Sequence, residues 1–62
     1  MKLAHSIERQ FLGYEATLRI AQNSGILIRS DSWGQQYRLV DDSVLSFDVM
    51  NDGTIEIGCS DC

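Results

Sequence analysis

The sequence predicts an α+β domain in which an N-terminal helix packs on an antiparallel β-meander of four or five strands. Three observations carry this expectation. The C-terminal half alternates apolar and polar residues over three short segments. Turn sequences rich in Asp, Asn, Ser and Gly separate those segments. The first dozen residues space their apolar positions by three and four, the repeat of a helix face. Sixty-two residues provide for one domain, spanning 1–62.

Leu3 to Leu12 reads as a helix, with Ala4, Ile7 and Phe11 along one stripe. Beyond Gly13 two readings are open. In one, the helix continues, Tyr14, Leu18 and Ala21 extend the stripe, and Asn23-Ser24-Gly25 stops it. Gly13 would then lie mid-helix at a cost of about 1 kcal/mol relative to Ala, and Leu12, Ala16 and Ile20 would form a second stripe without cover. In the other, the helix stops at Gly13 as its C′ residue. Tyr14, Ala16, Leu18 and Ile20 then alternate with Glu15, Thr17 and Arg19 as a strand, and Asn23-Ser24-Gly25 turns the chain into Ile26-Leu27-Ile28-Arg29. The second reading leaves fewer apolar residues without a place and is preferred.

The later strands follow from strict alternation in Gln36–Val40, Val44–Val49 and Thr54–Gly58. Asn51-Asp52-Gly53 has the composition of a hairpin turn. A two-residue loop would set Val49 against Glu56, whereas a three-residue loop pairs Val49 with Ile55, Asp48 with Glu56 and Phe47 with Ile57. Only the latter gathers the apolar residues on one face. The same reasoning at Asp41-Asp42-Ser43 pairs Leu39 with Leu45 and Tyr37 with Phe47. The expected dry face is Tyr37, Leu39, Leu45, Phe47, Val49, Ile55 and Ile57.

The net charge is −4, and its distribution is uneven. Residues 1–38 carry net +2, whereas residues 39–62 carry six acidic side chains and no basic one. Direct nucleic-acid binding, which needs a basic surface, is therefore not expected. No apolar run approaches the roughly 20 residues that span a bilayer. Met1–Ser6 holds one Lys and no apolar stretch, so a secretory leader is not expected and a cytoplasmic location is.

The motifs that carry chemistry are sparse. Cys59-Ser60-Asp61-Cys62 has the C-x-x-C spacing of redox and zinc sites. It does not open a helix, however, and a structural zinc site needs four ligands where the sequence offers one His, His5, and no third Cys. Free thiols are the first expectation, with a terminal dithiol or disulfide, or a metal site shared between two copies, as alternatives. His5 lacks a nucleophile with a local motif. Asp41-Asp42 reads as turn residues rather than a carboxylate dyad. Asn51-Asp52-Gly53 lacks the remaining oxygens of a calcium loop. The expectation is a non-catalytic protein without metal or cofactor. Trp33, between two strands, suits either a core plug or a binding anchor.

The acidic outer face is the most informative feature. Asp48 and Glu56 oppose each other across one strand pair, which is destabilising and suits either a solvated sheet face or one that a basic partner uses. Gln36 on the next strand supplies no cation there, and Arg38 would reach Asp48 only diagonally. Carboxylates two residues apart on a strand lie about 6.6 Å apart, a spacing close to that of successive phosphates. Asp41, Asp42, Asp48, Asp52, Glu56 and Trp33 are the expected partner-binding residues, and Asp61 extends the negative surface. In size, acidity and one-sided charge the chain resembles small phage- or mobile-element-encoded inhibitors of the anti-CRISPR type, several of which mimic nucleic acid. The resemblance implies an inhibitor that acts in the host cell cytoplasm. Its acidic face would occupy a basic nucleic-acid channel on a protein such as a CRISPR effector complex, blocking DNA binding. The alternatives are a small dithiol or metal-binding protein using Cys59 and Cys62, and a homodimeric accessory module.

Overall fold

A computed structural model describes residues 2–60. Along the chain it forms α1 (Leu3–Arg9), α2 (Tyr14–Ser24), β1 (Gly25–Asp31), β2 (Gly34–Leu39), β3 (Val44–Val49) and β4 (Ile55–Ser60). The strands make one antiparallel sheet in the order β1-β2-β3-β4, a simple meander. Both helices lie on one face, α1 over β3 and β4 and α2 over β1 and β2. This is the expected α+β arrangement.

The segment after Gly13 is helical, which corrects the preferred strand reading of Tyr14–Ile20. Nor does one helix run through. α1 ends at Arg9, and Gln10 and Phe11 donate backbone hydrogen bonds to the Ile7 and Glu8 carbonyls in a tightened last turn. Phe11 then takes a positive φ of 52°, and Gly13, at φ 88°, opens α2 rather than closing α1. The strand reading failed because it counted Ala16 and Ile20 as stranded. In α2 Ala16 is exposed and Ile20 half-buried, both ordinary for a surface helix. What decides the conformation is that Thr17, Leu18 and Ala21 share one helical face and pack down on the sheet.

The β3–β4 register is the expected one, with Val49 opposite Ile55, Asp48 opposite Glu56 and Phe47 opposite Ile57. Gly53 takes the left-handed position of the loop at φ 87°. The β2–β3 register is displaced by two residues from the expected one: Tyr37 faces Leu45 and Arg38 faces Val44. The loop is Val40-Asp41-Asp42, closed by the Leu39 amide donating to the Ser43 carbonyl at 2.8 Å, with Asp42 at φ 69°. Asp tolerates the left-handed conformation better than Ser does, so the turn settles one residue earlier and leaves Val40 85% exposed. A shift of two preserves which face each side chain takes.

The core therefore keeps its expected members. Tyr37, Leu39, Leu45 and Phe47 are buried together with Ala4 and Ala21 from the helices. Ile7, Leu18, Ile55, Ile57 and Cys59 pack around them. Val49 is the exception, since it lies at the strand end and is exposed. Phe47 is central, meeting the rings of Tyr14 and Tyr37 edge-to-face with centroids 5.9 Å away in each case. Gly34 allows β2 to start where it does: its φ is 152°, and a Cβ there would sit 2.1 Å from the Phe47 carbonyl oxygen.

Candidate functional site

Alternation along the strands puts the charged residues on the sheet face away from the helices. One rung crosses all four strands there: Asp31 pairs with Gly34, Gly34 with Asp48, and Asp48 with Glu56. Neighbouring strands are about 4.8 Å apart, so Asp48 and Glu56 are immediate neighbours and Asp31 lies two strands away across a residue without a side chain. The residue beside Asp48 on β2 is thus Gly34, not Gln36, and Arg38 lies four residues further along that strand, out of diagonal reach. Among the described residues the only basic groups in ion pairs are His5, with Glu8, and Arg29, with Asp31. Neither serves Asp48 or Glu56.

Trp33 sits at the same end of the sheet, in the β1–β2 turn. The residue is 66% exposed, so it is no core plug. Its backbone is fixed: its amide donates to an Asp31 carboxylate oxygen at 2.9 Å and its carbonyl accepts from the Val49 amide at 2.8 Å. Arg29 donates to the other Asp31 oxygen at 2.9 Å. The Arg29 hydrogen bond, aided by that of the Trp33 amide, lowers the Asp31 pKa. Asp52, in the adjoining β3–β4 turn, accepts from the hydroxyl and amide of Thr54, which lower its pKa too. Trp33, Asp31, Asp48, Glu56 and Asp52 thus share one end of the sheet. Asp31 was not anticipated, because its relation to Asp48 runs through the β1–β2 pairing.

Asp41 and Asp42 are at the other end, about 17 Å away along a six-residue strand. Asp42 is exposed in its turn. Asp41 is spent on the fold. One carboxylate oxygen accepts from the Leu3 amide at 2.7 Å and the other from the Ser43 amide and hydroxyl. Ser43 Oγ in turn accepts from the Ala4 amide at 3.0 Å. The β2–β3 turn thereby caps the first turn of α1, whose own N-cap, Lys2, makes no side-chain cap. The Ser43 hydroxyl and the Leu3 amide hold the Asp41 carboxyl down at about 2. The acidic residues therefore do not form one continuous surface.

On the helix face, α1 and β4 bring together His5, Glu8 and Cys59. Cys59 lies opposite Leu45, and its Sγ is 3.7 Å from His5 Nδ1 and 3.8 Å from Glu8 Oε1. His5 Nδ1 is 3.4 Å from the same Glu8 oxygen. These three form a group of potential metal ligands. Cys62, and with it the C-x-x-C expectation, lies outside the described residues, as does Asp61. Nearby, a mostly apolar groove of about 490 Å³ opens where Phe11, Leu12 and Tyr14 overhang Ile55 and Ile57. Phe11, expected on the helix's buried stripe, is 91% exposed at its rim.

No protein-family model matches the chain, and neither a curated protein nor a solved structure is significantly similar to it. No helix among the described residues is long and apolar enough to cross a membrane.

Proposed function

We propose that this chain is a non-catalytic protein-binding module that docks the Trp33 end of its sheet onto a basic surface of a partner protein. The observation that carries the reading is the Asp48–Glu56 pair, two carboxylates side by side with no cation at ion-pair distance among the described residues. Like charges directly opposite cost stability, and a cationic partner turns that cost into binding energy. Trp33 supplies the aromatic anchor that interfaces favour, and its exposed ring suits Lys or Arg side chains through cation–π contact. A basic nucleic-acid-binding surface has this chemistry. The proposed role is inhibition of such a protein in the cytoplasm, a CRISPR effector complex being the target class the resemblance suggests.

The test is Asp48→Lys, alone and beside Trp33→Ala. Replacing the charge relieves repulsion in the free protein and removes a contact in the complex, so stability rises while affinity falls. A desolvated charge pair that loses one member costs about 2–5 kcal/mol, a rim pair much less. Partners are captured from host lysate on the immobilised chain, identified, and measured by calorimetry at low and high salt, where surface electrostatics are screened. Asp48→Lys and Glu56→Lys proteins that bind the identified partner as tightly as the parent at low salt would remove the acidic pair from the interface.

A second reading, self-association, is favoured by β1. It is an edge strand that turns Ile26, Leu27 and Ile28 to solvent. Such an edge is a template for pairing with another chain. A mass that does not rise with concentration in sedimentation would exclude it.

A further inference from the structure

We propose that His5, Glu8 and Cys59 form a zinc site that fastens α1 to β4. The inference is independent of the docking surface, and it departs from the expectation of a protein without metal.

The geometry separates this reading from two simpler ones. An ordinary N–H···O hydrogen bond spans about 2.7–3.2 Å, and the 3.4 Å between His5 Nδ1 and the Glu8 oxygen exceeds it. A nucleophilic triad would use opposite edges of the imidazole, one nitrogen toward the thiol and the other toward the carboxylate. Here thiol and carboxylate both face the same nitrogen, Nδ1. One nitrogen cannot serve as base toward sulfur while donating its proton to the carboxylate. The two Sγ separations are within reach of thiol hydrogen bonds, and three ligand atoms that also converge pairwise on one another match the face of a coordination polyhedron, which a metal titration separates from a hydrogen-bonded cluster.

The edge lengths agree with that. Zinc takes S at about 2.3 Å, imidazole N at about 2.0–2.1 Å and carboxylate O at about 2.0–2.2 Å in tetrahedral array. Those bond lengths give donor–donor edges of about 3.6 Å for S···N and S···O and about 3.4 Å for N···O. The observed edges are 3.7, 3.8 and 3.4 Å, all within about 0.3 Å of that triangle. The mixed S, N and O set suits zinc rather than magnesium or calcium, which prefer oxygen alone. His5 and Glu8 are one helical turn apart, so a single face of α1 presents both. All three are half-buried and accessible to an ion, and Cys59 is also packed against the core. A fourth position remains for water. A chain this short gains much from such a staple, and α1 has few other attachments: the cap from Asp41 and Ser43 and the packing of Ala4 and Ile7.

The experiment titrates the chelator-stripped full chain, kept reduced by a phosphine, with Zn²⁺ by calorimetry and with Co²⁺ by absorption. The expected result is one equivalent bound, a thiolate-to-cobalt charge-transfer band, and a melting temperature that rises with Zn²⁺. Cys59→Ser should abolish the band. His5→Gln and Glu8→Gln, at half-exposed positions that leave the apolar core intact, should each weaken Zn²⁺ at least tenfold. No saturable binding, or binding that His5→Gln and Glu8→Gln leave unchanged, overturns the proposal. So does binding that Cys62→Ser abolishes while those two variants retain it, because the ion would then belong to the C-x-x-C alone.

Discussion

Replacing Phe47 by Ala tests the core and the register that builds it. Phe47 is 3% exposed, stands opposite Ile57 on β4 and makes two edge-to-face ring contacts. Truncating a buried Phe to Ala costs about 3–5 kcal/mol through lost transfer energy and the cavity left behind. The two aromatic pairs, each worth about 0.5–1.5 kcal/mol beyond burial, favour the upper part of that range. Folded domains hold about 0.05–0.15 kcal/mol per residue, which for 62 residues is about 3–9 kcal/mol. Loss and total stability are of similar size. Thermal melts followed by far-ultraviolet circular dichroism should therefore show Phe47→Ala largely unfolded, or melting at least about 12 °C lower. Val49→Ala is the internal control: same strand, same face, but exposed at the strand end, so it should cost about 1 kcal/mol or less. A Phe47→Ala melt no lower than that of Val49→Ala would show that Phe47 does not hold the core together and would refute the packing described.

Two further perturbations address the turns. The Asp41 carboxyl is held at about 2, below its ordinary 3.8, so its contribution is fully present above about pH 4 and lost as pH falls through 2; the melting temperature of Asp41→Asn should fall short of the parent's at pH 7 and converge on it toward pH 2, and a constant gap across that range would dismiss the charged cap. Gly34→Ala would drive a Cβ to 2.1 Å from the Phe47 carbonyl oxygen at φ 152°, so it should abolish cooperative unfolding or lower the melting temperature by more than about 10 °C, and a parent-like melt would show that the β1–β2 turn has room the geometry denies.

The β half of the molecule was legible because its signals are local. Alternation fixes the face of each side chain, and the requirement that Val49, Phe47, Ile55 and Ile57 share a face admits one β3–β4 register. The β2–β3 turn was misread because both candidate loops satisfy that requirement. The choice between them rests on Asp42 accepting a left-handed backbone, a smaller effect than burial. The helical half was harder. A bulky Phe11 at positive φ is not announced by any residue type, and it splits a stripe that looked continuous. The acidic site was legible where it depended on β3–β4, in Asp48 and Glu56, and not where it depended on β1, in Asp31. Asp41 looked like free surface charge because nothing local shows that α1 starts beside the β2–β3 turn. The grouping of His5 and Glu8 with Cys59 spans more than fifty residues. Its one local trace is that His5 and Glu8 share a helix face.

The two proposed sites use opposite faces of the same strand, which makes them separable. Glu56 and Cys59 are three residues apart on β4, about 10 Å along the strand, and an odd spacing points their side chains to opposite sides. Effects of changes this far apart with no shared partner add within a few tenths of a kcal/mol. Loading the metal should therefore leave affinity for a basic partner unchanged if β4 is already rigid in the metal-free chain. If instead β4 frays without the ion, metal and partner must each raise the affinity of the other by the same factor, since coupling between two binding equilibria is reciprocal. Measuring both affinities with and without the other ligand distinguishes a stapled scaffold from a coupled one. A coupling factor that His5→Gln leaves unchanged would mean that the metal is bound at some place other than the folded α1–β4 contact.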